Sequence, residues 1–139
     1  MSRSGYNEDC DSNYIYLYRG MVERAIKGKR SQSFLRELAK VLDAMPEKRL
    51  IRDHLITETG EVCAIGAYCK AKGIDTQNVD IEDADAVGAL VDIPRSVAAE
   101  IEYENDEHRG PETPKDRWKR MRELVESYLI TQEQVEVRS

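Results

Sequence analysis

The chain has few of the features that mark membrane-spanning or exported proteins. No apolar run approaches the roughly 18 residues that a membrane-spanning helix needs, which excludes an integral membrane protein of that kind. The start, MSRSGYNEDCD, is polar and acidic rather than basic and then apolar, so no signal peptide is expected. Three cysteines, an odd number, fit a reducing compartment better than a disulfide framework. These features predict a small soluble protein of the cytoplasm.

The sequence also lacks the short motifs that accompany well-known chemistry. Glycine-rich phosphate loops, the HExxH zinc motif, the GxSxG nucleophile and the EF-hand calcium loop are all absent. The three cysteines and two histidines do not have the CxxC or HxxxH spacing that preorganises zinc. We therefore expect no cofactor and no metal site, and a non-enzymatic protein is favoured.

What the chain does contain is enough apolar sequence for a folded core. Of its 139 residues, 40% are hydrophobic and 35% are charged. Apolar residues recur at helical spacing along most of the chain, which predicts an all-α fold, a single compact domain of five to seven helices. We expect this domain to span residues 1–131, with a polar N-terminal arm at 1–13. Residues 132–139 are expected to form a mobile C-terminal tail.

Seven segments carry the helical pattern or a helix-start signal. They are 14–27, 32–45, 48–57, 60–75, 81–90, 94–104 and a last helix that starts at Thr113. Segment 48–57 is ambiguous, because a turn at Thr57–Gly60 also allows a strand there. We expect Asp80 to cap the helix at 81–90, Pro94 to lie in the first turn of the next, and Gly73 to end the helix at 60–75.

Charge is unevenly distributed along the chain. Residues 19–52 carry ten Lys/Arg and four Asp/Glu, whereas residues 53–107 carry three and fourteen. Two explanations are open: the two parts pair within the fold, or they face partners of opposite charge. The acidic side chains expected to contact a partner are Asp83, Asp85, Glu100, Glu102, Glu104, Asp106 and Glu107.

Basic side chains around the start of the second helix suggest an alternative function, a nucleic-acid-binding regulator. Their charges could neutralise phosphates, and the turn before the helix would present backbone N–H groups as well. The acidic whole opposes this function, because it repels nucleic acid at long range. The candidate residues are Arg24, Lys27, Lys29, Arg30 and Arg36.

Cys63 is the candidate nucleophile of a further alternative, a cysteine-dependent enzyme. It lies near the start of a predicted helix, where the helix dipole favours a thiolate. His54 or His108 could act as its base, and Asp106 could orient the histidine. The competing interpretation is that Cys63 and Cys69 are small buried side chains on a packed helix face.

Five stretches follow one another along the chain in a specific order: SRSGYNEDCD, YRGMVERAIKGKRSQSFLRELAKVLDAMPEKRLI, GEVCAIGAYCKAKGID, EIEYENDE and ETPKDRWKRMRELV. In this order they resemble a family of small uncharacterised proteins from bacteriophages, prophages and bacterial mobile elements. The CAIGA stretch followed by NDE is also similar to a wider group of small helical proteins with a CxxGA…ND pattern. Neither resemblance brings an established activity. It implies an accessory protein of a mobile element in the bacterial cytoplasm.

Together these observations favour a non-enzymatic accessory protein that binds a host macromolecule. The expected partner is a host protein or protein complex; nucleic acid is the alternative, self-association is left open, and no membrane contact is expected. The acidic segment 80–107 would occupy a cationic nucleic-acid groove on that partner. An inhibitor of a defence system such as CRISPR–Cas or restriction would act in this way.

Overall fold

The computed structural model describes residues 12–107 and 110–130. Six helices form the regular structure of these residues, which contain no β-strand, so the predicted all-α fold of five to seven helices is confirmed. The helices are α1 (Ser12–Ile26), α2 (Lys29–Ala44), α3 (Ala64–Lys72), α4 (Ala84–Val91), α5 (Arg95–Asp106) and α6 (Pro114–Tyr128). The arm predicted at 1–13 overlaps the start of α1, and the rest of it and the tail predicted at 132–139 lie outside the described residues.

Helix α2 is the centre of the fold. It packs against α1, α3 and α6, while α5 joins α1, α3, α4 and α6. Leu35, Leu38 and Leu42 lie three or four residues apart along one face of α2 and are fully buried. Other elements complete the core with Val22, Leu50, Ile65, Val87, Ile101, Met121 and Val125. In the described part of the chain, no helix is both long and apolar enough to cross a membrane.

Segment 48–57 is extended rather than helical, so the helix predicted there is wrong. The chain passes through Leu50 and Leu55, turns at Thr57–Gly60 and returns to the start of α3. The Ile51 N–H donates to the Val62 carbonyl at 2.8 Å. The Cys63 N–H, just before α3, donates to the Leu55 carbonyl at 3.2 Å. These hydrogen bonds between the two sides of the turn replace the ones that a helix would have made within itself. The turn at Thr57–Gly60, which the sequence offered as the argument for a strand, brings the two sides together and favours the extended conformation of 48–57.

Helix ends follow the expected chemistry, in two cases at a neighbouring residue. Asp83, not Asp80, caps α4 by accepting a backbone N–H three residues later at 3.1 Å. Asp80 instead stabilises the preceding turn through the backbone N–H of Glu82 at 2.9 Å. Pro94 is the N-cap of α5 rather than part of its first turn. Thr113 caps α6 and the left-handed Gly73 ends α3, both as predicted.

The side-chain amide of Gln32 connects the end of α1 to the end of α6. Its Nε2 donates to the carbonyls of Ile26 and Tyr128 at 2.8 and 2.9 Å, and its Oε1 accepts from the Ile130 N–H at 2.9 Å. Gln32 is buried, so these bonds satisfy polar atoms that water does not reach. They hold the end of α6 against the corner between α1 and α2.

A nearly buried ion-pair cluster attaches α6 to α5. Glu112 lies 3.2 Å from Nε of Arg117 and 2.7 Å from Nε of Arg120. Arg120 also donates to the last carbonyls of α5, at Glu104 and Asn105, where a cation complements the helix dipole. The two arginines therefore neutralise a buried carboxylate. Arg120 also binds the α5 end, whereas Arg117 donates to the Leu50 carbonyl at 3.1 Å.

Replacing Gly66 by alanine tests the closest approach in the core. A Cβ at Gly66 would lie 1.7 Å from the Leu55 carbonyl oxygen, so backbone atoms must move. We expect Gly66→Ala to lower the free energy of unfolding by about 3 kcal/mol or more. The matched Gly20→Ala on α1 meets only the flexible end of Arg24 at 3.3 Å, and should raise it by up to about 1 kcal/mol through helix propensity. Urea denaturation measures both, and equal midpoints for the two variants would contradict this packing.

Candidate functional site

Cys63 occupies the N-cap of α3 and is completely buried. Its Sγ accepts from the Gly66 N–H at 3.4 Å and lies 3.7 Å from Oε1 of Glu102 on α5. Glu102 is itself only 2% exposed. A protonated thiol fits this arrangement, because an S–H group donates to a carboxylate oxygen whereas a thiolate would be repelled by it.

The electrostatic surroundings of Cys63 oppose nucleophilic chemistry. Burial raises the pKa of its thiol well above the ordinary range, and the negative charge of Glu102 raises it further. The Gly66 N–H acts in the opposite direction but is outweighed, so burial disfavours the thiolate that the cysteine-dependent alternative requires. Burial likewise raises the pKa of Cys69 to about 11. Both cysteines are buried side chains of a packed helix, as the competing interpretation held.

In the described structure, His54, one of the two histidines proposed as a base, makes no hydrogen bond to Cys63, whose Sγ contacts Glu102 and Gly66 instead. His54 lies on the surface, whereas Cys63 is inaccessible to solvent. Asp106, expected to orient a histidine, instead accepts from the backbone N–H of Asp53 at 3.3 Å and from Asn105 at 2.7 Å. His108 lies outside the described residues.

The side chain of Asn105 organises the centre of this region. Its Oδ1 accepts from the Ala64 N–H at the start of α3 at 3.1 Å, and its Nδ2 donates to the Ile51 carbonyl at 2.9 Å. The same Nδ2 donates to Asp106 at 2.7 Å. One fully buried amide therefore joins α5, the start of α3 and the extended segment. The CAIGA and ND stretches, singled out in the sequence as a pattern, meet here as a structural unit.

Three of the acidic residues expected on a contact surface lie inside the fold. Glu100 is 9%, Glu102 2% and Asp106 5% exposed. Helix α5 is surrounded by four other helices, so most of its circumference faces protein rather than solvent. The expectation that 100–107 presents these carboxylates to a partner is therefore wrong for these three positions. Glu104 is half-buried, while Asp83, Asp85 and Glu107 are exposed.

The exposed acidic surface lies at 75–92, which overlaps the first part of the predicted contact segment 80–107. Six carboxylates lie in it and all are exposed, whereas no Lys, Arg or His occurs between residues 73 and 94. They are Asp75, Asp80, Glu82, Asp83, Asp85 and Asp92. The sequence named only Asp83 and Asp85 of these; the absence of any basic residue over the stretch was the signal that identifies it. We call this the acidic surface.

The basic residues expected to contact phosphate are all exposed. Arg24 lies in the last turn of α1 and Lys27 in the turn that follows it. Lys29 and Arg30 begin α2, and Arg36 lies further along α2. The N-cap of α2, Gly28, has no side-chain cap. Arg30 pairs with Asp92 of the acidic surface at 3.1 Å, and both side chains remain more than half exposed. Asp85 of the acidic surface likewise lies 3.3 Å from Nε of Arg95, which follows the acidic stretch. The acidic and basic surfaces touch at the Arg30–Asp92 pair.

Two clefts open on the described surface. The larger, of about 880 Å³, lies between α2 and α3, with apolar walls that include Val41, Val62 and Ala67. The smaller, of about 690 Å³, lies beside the extended segment and includes His54 and Arg117. Among the described residues, no group of three His, Cys, Asp or Glu side chains is placed to hold a metal ion.

Comparison with protein families, curated proteins and solved structures found no match to this chain. The geometry of its own residues therefore carries the functional argument. That geometry combines two buried cysteines, an exposed acidic surface and exposed basic residues at the turn between α1 and α2.

The buried thiols predict slow modification in the native protein. In a Cys10→Ser background, we expect iodoacetamide to modify Cys63 and Cys69 at least roughly a hundredfold more slowly than in the urea-unfolded chain, because reaction must wait for opening of the core. Mass spectrometry of tryptic peptides measures each site. Rapid native modification of Cys63 below pH 8 would restore the cysteine-dependent enzyme as a candidate.

Removing the Asn105 amide should destabilise the fold strongly. Asn105→Ala leaves the Ala64 N–H and the Ile51 carbonyl without this partner, at about 1–3 kcal/mol for each buried group. We expect a loss of about 2–4 kcal/mol in the free energy of unfolding, measured by urea denaturation. Asn78→Ala, at an exposed position, is the control and should stay within about 0.5 kcal/mol of the original protein. Equal losses in both variants would refute the role of Asn105.

Proposed function

We propose that the protein is a non-enzymatic binding protein whose acidic surface occupies a cationic groove of a host macromolecule. The observation that carries this proposal is the row of six exposed carboxylates at 75–92, uninterrupted by any basic residue. Such a surface attracts a cationic partner at long range and competes with a phosphate backbone for the same groove.

Local hydrogen bonds support the proposal by making the acidic surface rigid before it binds. One carboxylate oxygen of Asp75 and one of Asp80 accept backbone N–H groups two residues later, both at 2.9 Å. Asp83 does the same at the start of α4. These bonds fix the side chains and reduce the conformational entropy that binding must remove. The second oxygen of each carboxylate is left to contact the partner.

The biological setting completes the proposal. The ordered sequence stretches that resemble proteins of phages and mobile elements support an accessory protein acting in the cytoplasm of a bacterial host. A nucleic-acid-binding complex of host defence, such as CRISPR–Cas or a restriction enzyme, has the cationic groove that this surface fits. Binding there would inhibit the complex by excluding its nucleic acid.

Neutralising the acidic surface tests the proposal. The variant Asp75→Asn, Asp80→Asn, Glu82→Gln, Asp85→Asn removes four charges while keeping a side-chain oxygen that can accept each backbone N–H. The matched control removes four exposed charges elsewhere: Glu23→Gln, Glu47→Gln, Glu58→Gln, Glu123→Gln. Each tagged protein is incubated with bacterial host lysate, and captured proteins are quantified by mass spectrometry.

The supporting result has three parts. A nucleic-acid-binding host protein is captured by the original protein and by the control, its capture by the neutralised variant falls about tenfold or more, and added duplex DNA displaces it. Equal capture by the neutralised variant, or no displacement by DNA, overturns the proposed use of the acidic surface.

A further inference from the structure

The exposed large apolar side chains of the described structure all lie on one helix. Tyr14, Tyr16, Leu17 and Met21 are 52, 78, 69 and 42% exposed, and all belong to α1. Tyr16 and Leu17 lie on the side of α1 opposite Tyr18 and Val22, which face the core. Large apolar side chains that are exposed together on one helix are typical of an interaction site.

The same face is cationic along its second half. Of the six charged residues at 16–30, five are basic and only Glu23 is acidic, and all six are exposed. The guanidinium of Arg24 lies back over Gly20, with its terminal nitrogen 3.3 Å from where a Cβ of Gly20 would be. It therefore stands one helical turn from Tyr16, on the same side of α1. Lys27, Lys29 and Arg30 continue the positive charge across the corner into α2.

This combination favours one class of partner. We propose that the outer face of α1 and the α1–α2 corner bind single-stranded nucleic acid, with Tyr16 stacking on a base and Arg24, Lys27 and Lys29 contacting phosphates. Cationic side chains that follow a strand and exposed aromatic rings on which its bases stack are the two elements of sequence-independent single-strand binding.

Other partners fit the face less well. A duplex buries its base faces, so an exposed tyrosine ring would have nothing to stack on. A second copy that met this face with its own α1 face would bring two surfaces of the same positive sign together, which is unfavourable. An anionic membrane would also accept basic and tyrosine side chains, so the test includes lipid vesicles. This proposal does not depend on the proposed use of the acidic surface, which lies on the other side of the Arg30–Asp92 pair.

Fluorescence anisotropy with labelled oligo(dT) and oligo(U) of about 20 nucleotides tests the proposal, starting near 50 mM NaCl. Lys27→Gln, Lys29→Gln should flatten the slope of log affinity against log salt by about 1.4, because each single-strand phosphate contact contributes about 0.7. The matched Lys115→Gln, Lys119→Gln on α6 removes two exposed charges elsewhere and should leave the slope unchanged.

Two further variants separate stacking and charge from a general loss of structure. Tyr16→Ala should weaken binding about fivefold or more at an unchanged salt slope, and Tyr16→Trp should retain it. Asp92→Asn should tighten binding up to about fivefold, because it releases Arg30 from an exposed ion pair. Asn tolerates the left-handed backbone of Asp92, whose φ is 58°, so the fold is preserved. A gain of affinity cannot result from unfolding.

The outcomes decide the proposal. The proposal is supported if Lys27→Gln, Lys29→Gln flattens the salt slope and the α6 control does not, if Tyr16→Ala weakens oligonucleotide binding, and if Asp92→Asn tightens it. Absence of binding at low salt, equal loss with the α6 control, or preference for duplex DNA with Tyr16→Ala unchanged overturns it. Binding to phosphatidylglycerol vesicles but not to oligonucleotides also overturns it and identifies the face as a membrane contact.

Discussion

The fold depends on one buried side-chain amide, that of Asn105. It supplies hydrogen bonds that a neighbouring β-strand would supply in a sheet. Between α2 and α3 the chain runs in an extended conformation, and extended backbone needs partners outside itself. Part of this need is satisfied across the turn that follows, but the Ile51 carbonyl and the Ala64 N–H are satisfied by Asn105. This bond fixes where α3 begins. The position of α3 in turn places Gly66 against Leu55 and Cys63 against Glu102.

Much of the fold could be predicted from the sequence because its helices bury continuous stripes. On α2, Phe34, Leu35, Leu38 and Leu42 recur at helical spacing, and the structure buries all four. Segment 48–57 has the same spacing, but there the side chains are buried by an extended chain. Periodicity alone does not distinguish the two over such a short run. The turn at Thr57–Gly60 was the better guide, because a turn that brings two limbs together supplies the hydrogen bonds of an extended conformation.

The charged residues were harder to place than the apolar ones. Acidic density along the sequence peaks at 100–107. Glu100, Glu102 and Asp106 are nevertheless buried, because they belong to a helix that other helices surround on most sides. Local composition does not reveal how many neighbours a helix has, because this is a property of the whole packing. At 75–92 the sequence is informative, because turns and a short helix leave carboxylates at the surface. For the Cys63 thiol the sequence predicted both the place near a helix start and the burial, but not the contact with Glu102, whose charge also raises the pKa of the thiol.

The Arg30–Asp92 ion pair couples the free energies of binding at the two charged surfaces, because each surface contributes one of its side chains. A cationic partner that takes Asp92 releases Arg30, and an anion that takes Arg30 releases Asp92. By thermodynamic reciprocity, each partner then strengthens the binding of the other by the same factor. An exposed pair contributes about 0.2–1 kcal/mol, which limits that factor to about 1.4–5. If both proposed surfaces bind as described, the pair would make the molecule mildly cooperative toward a complex of a cationic protein and a nucleic acid.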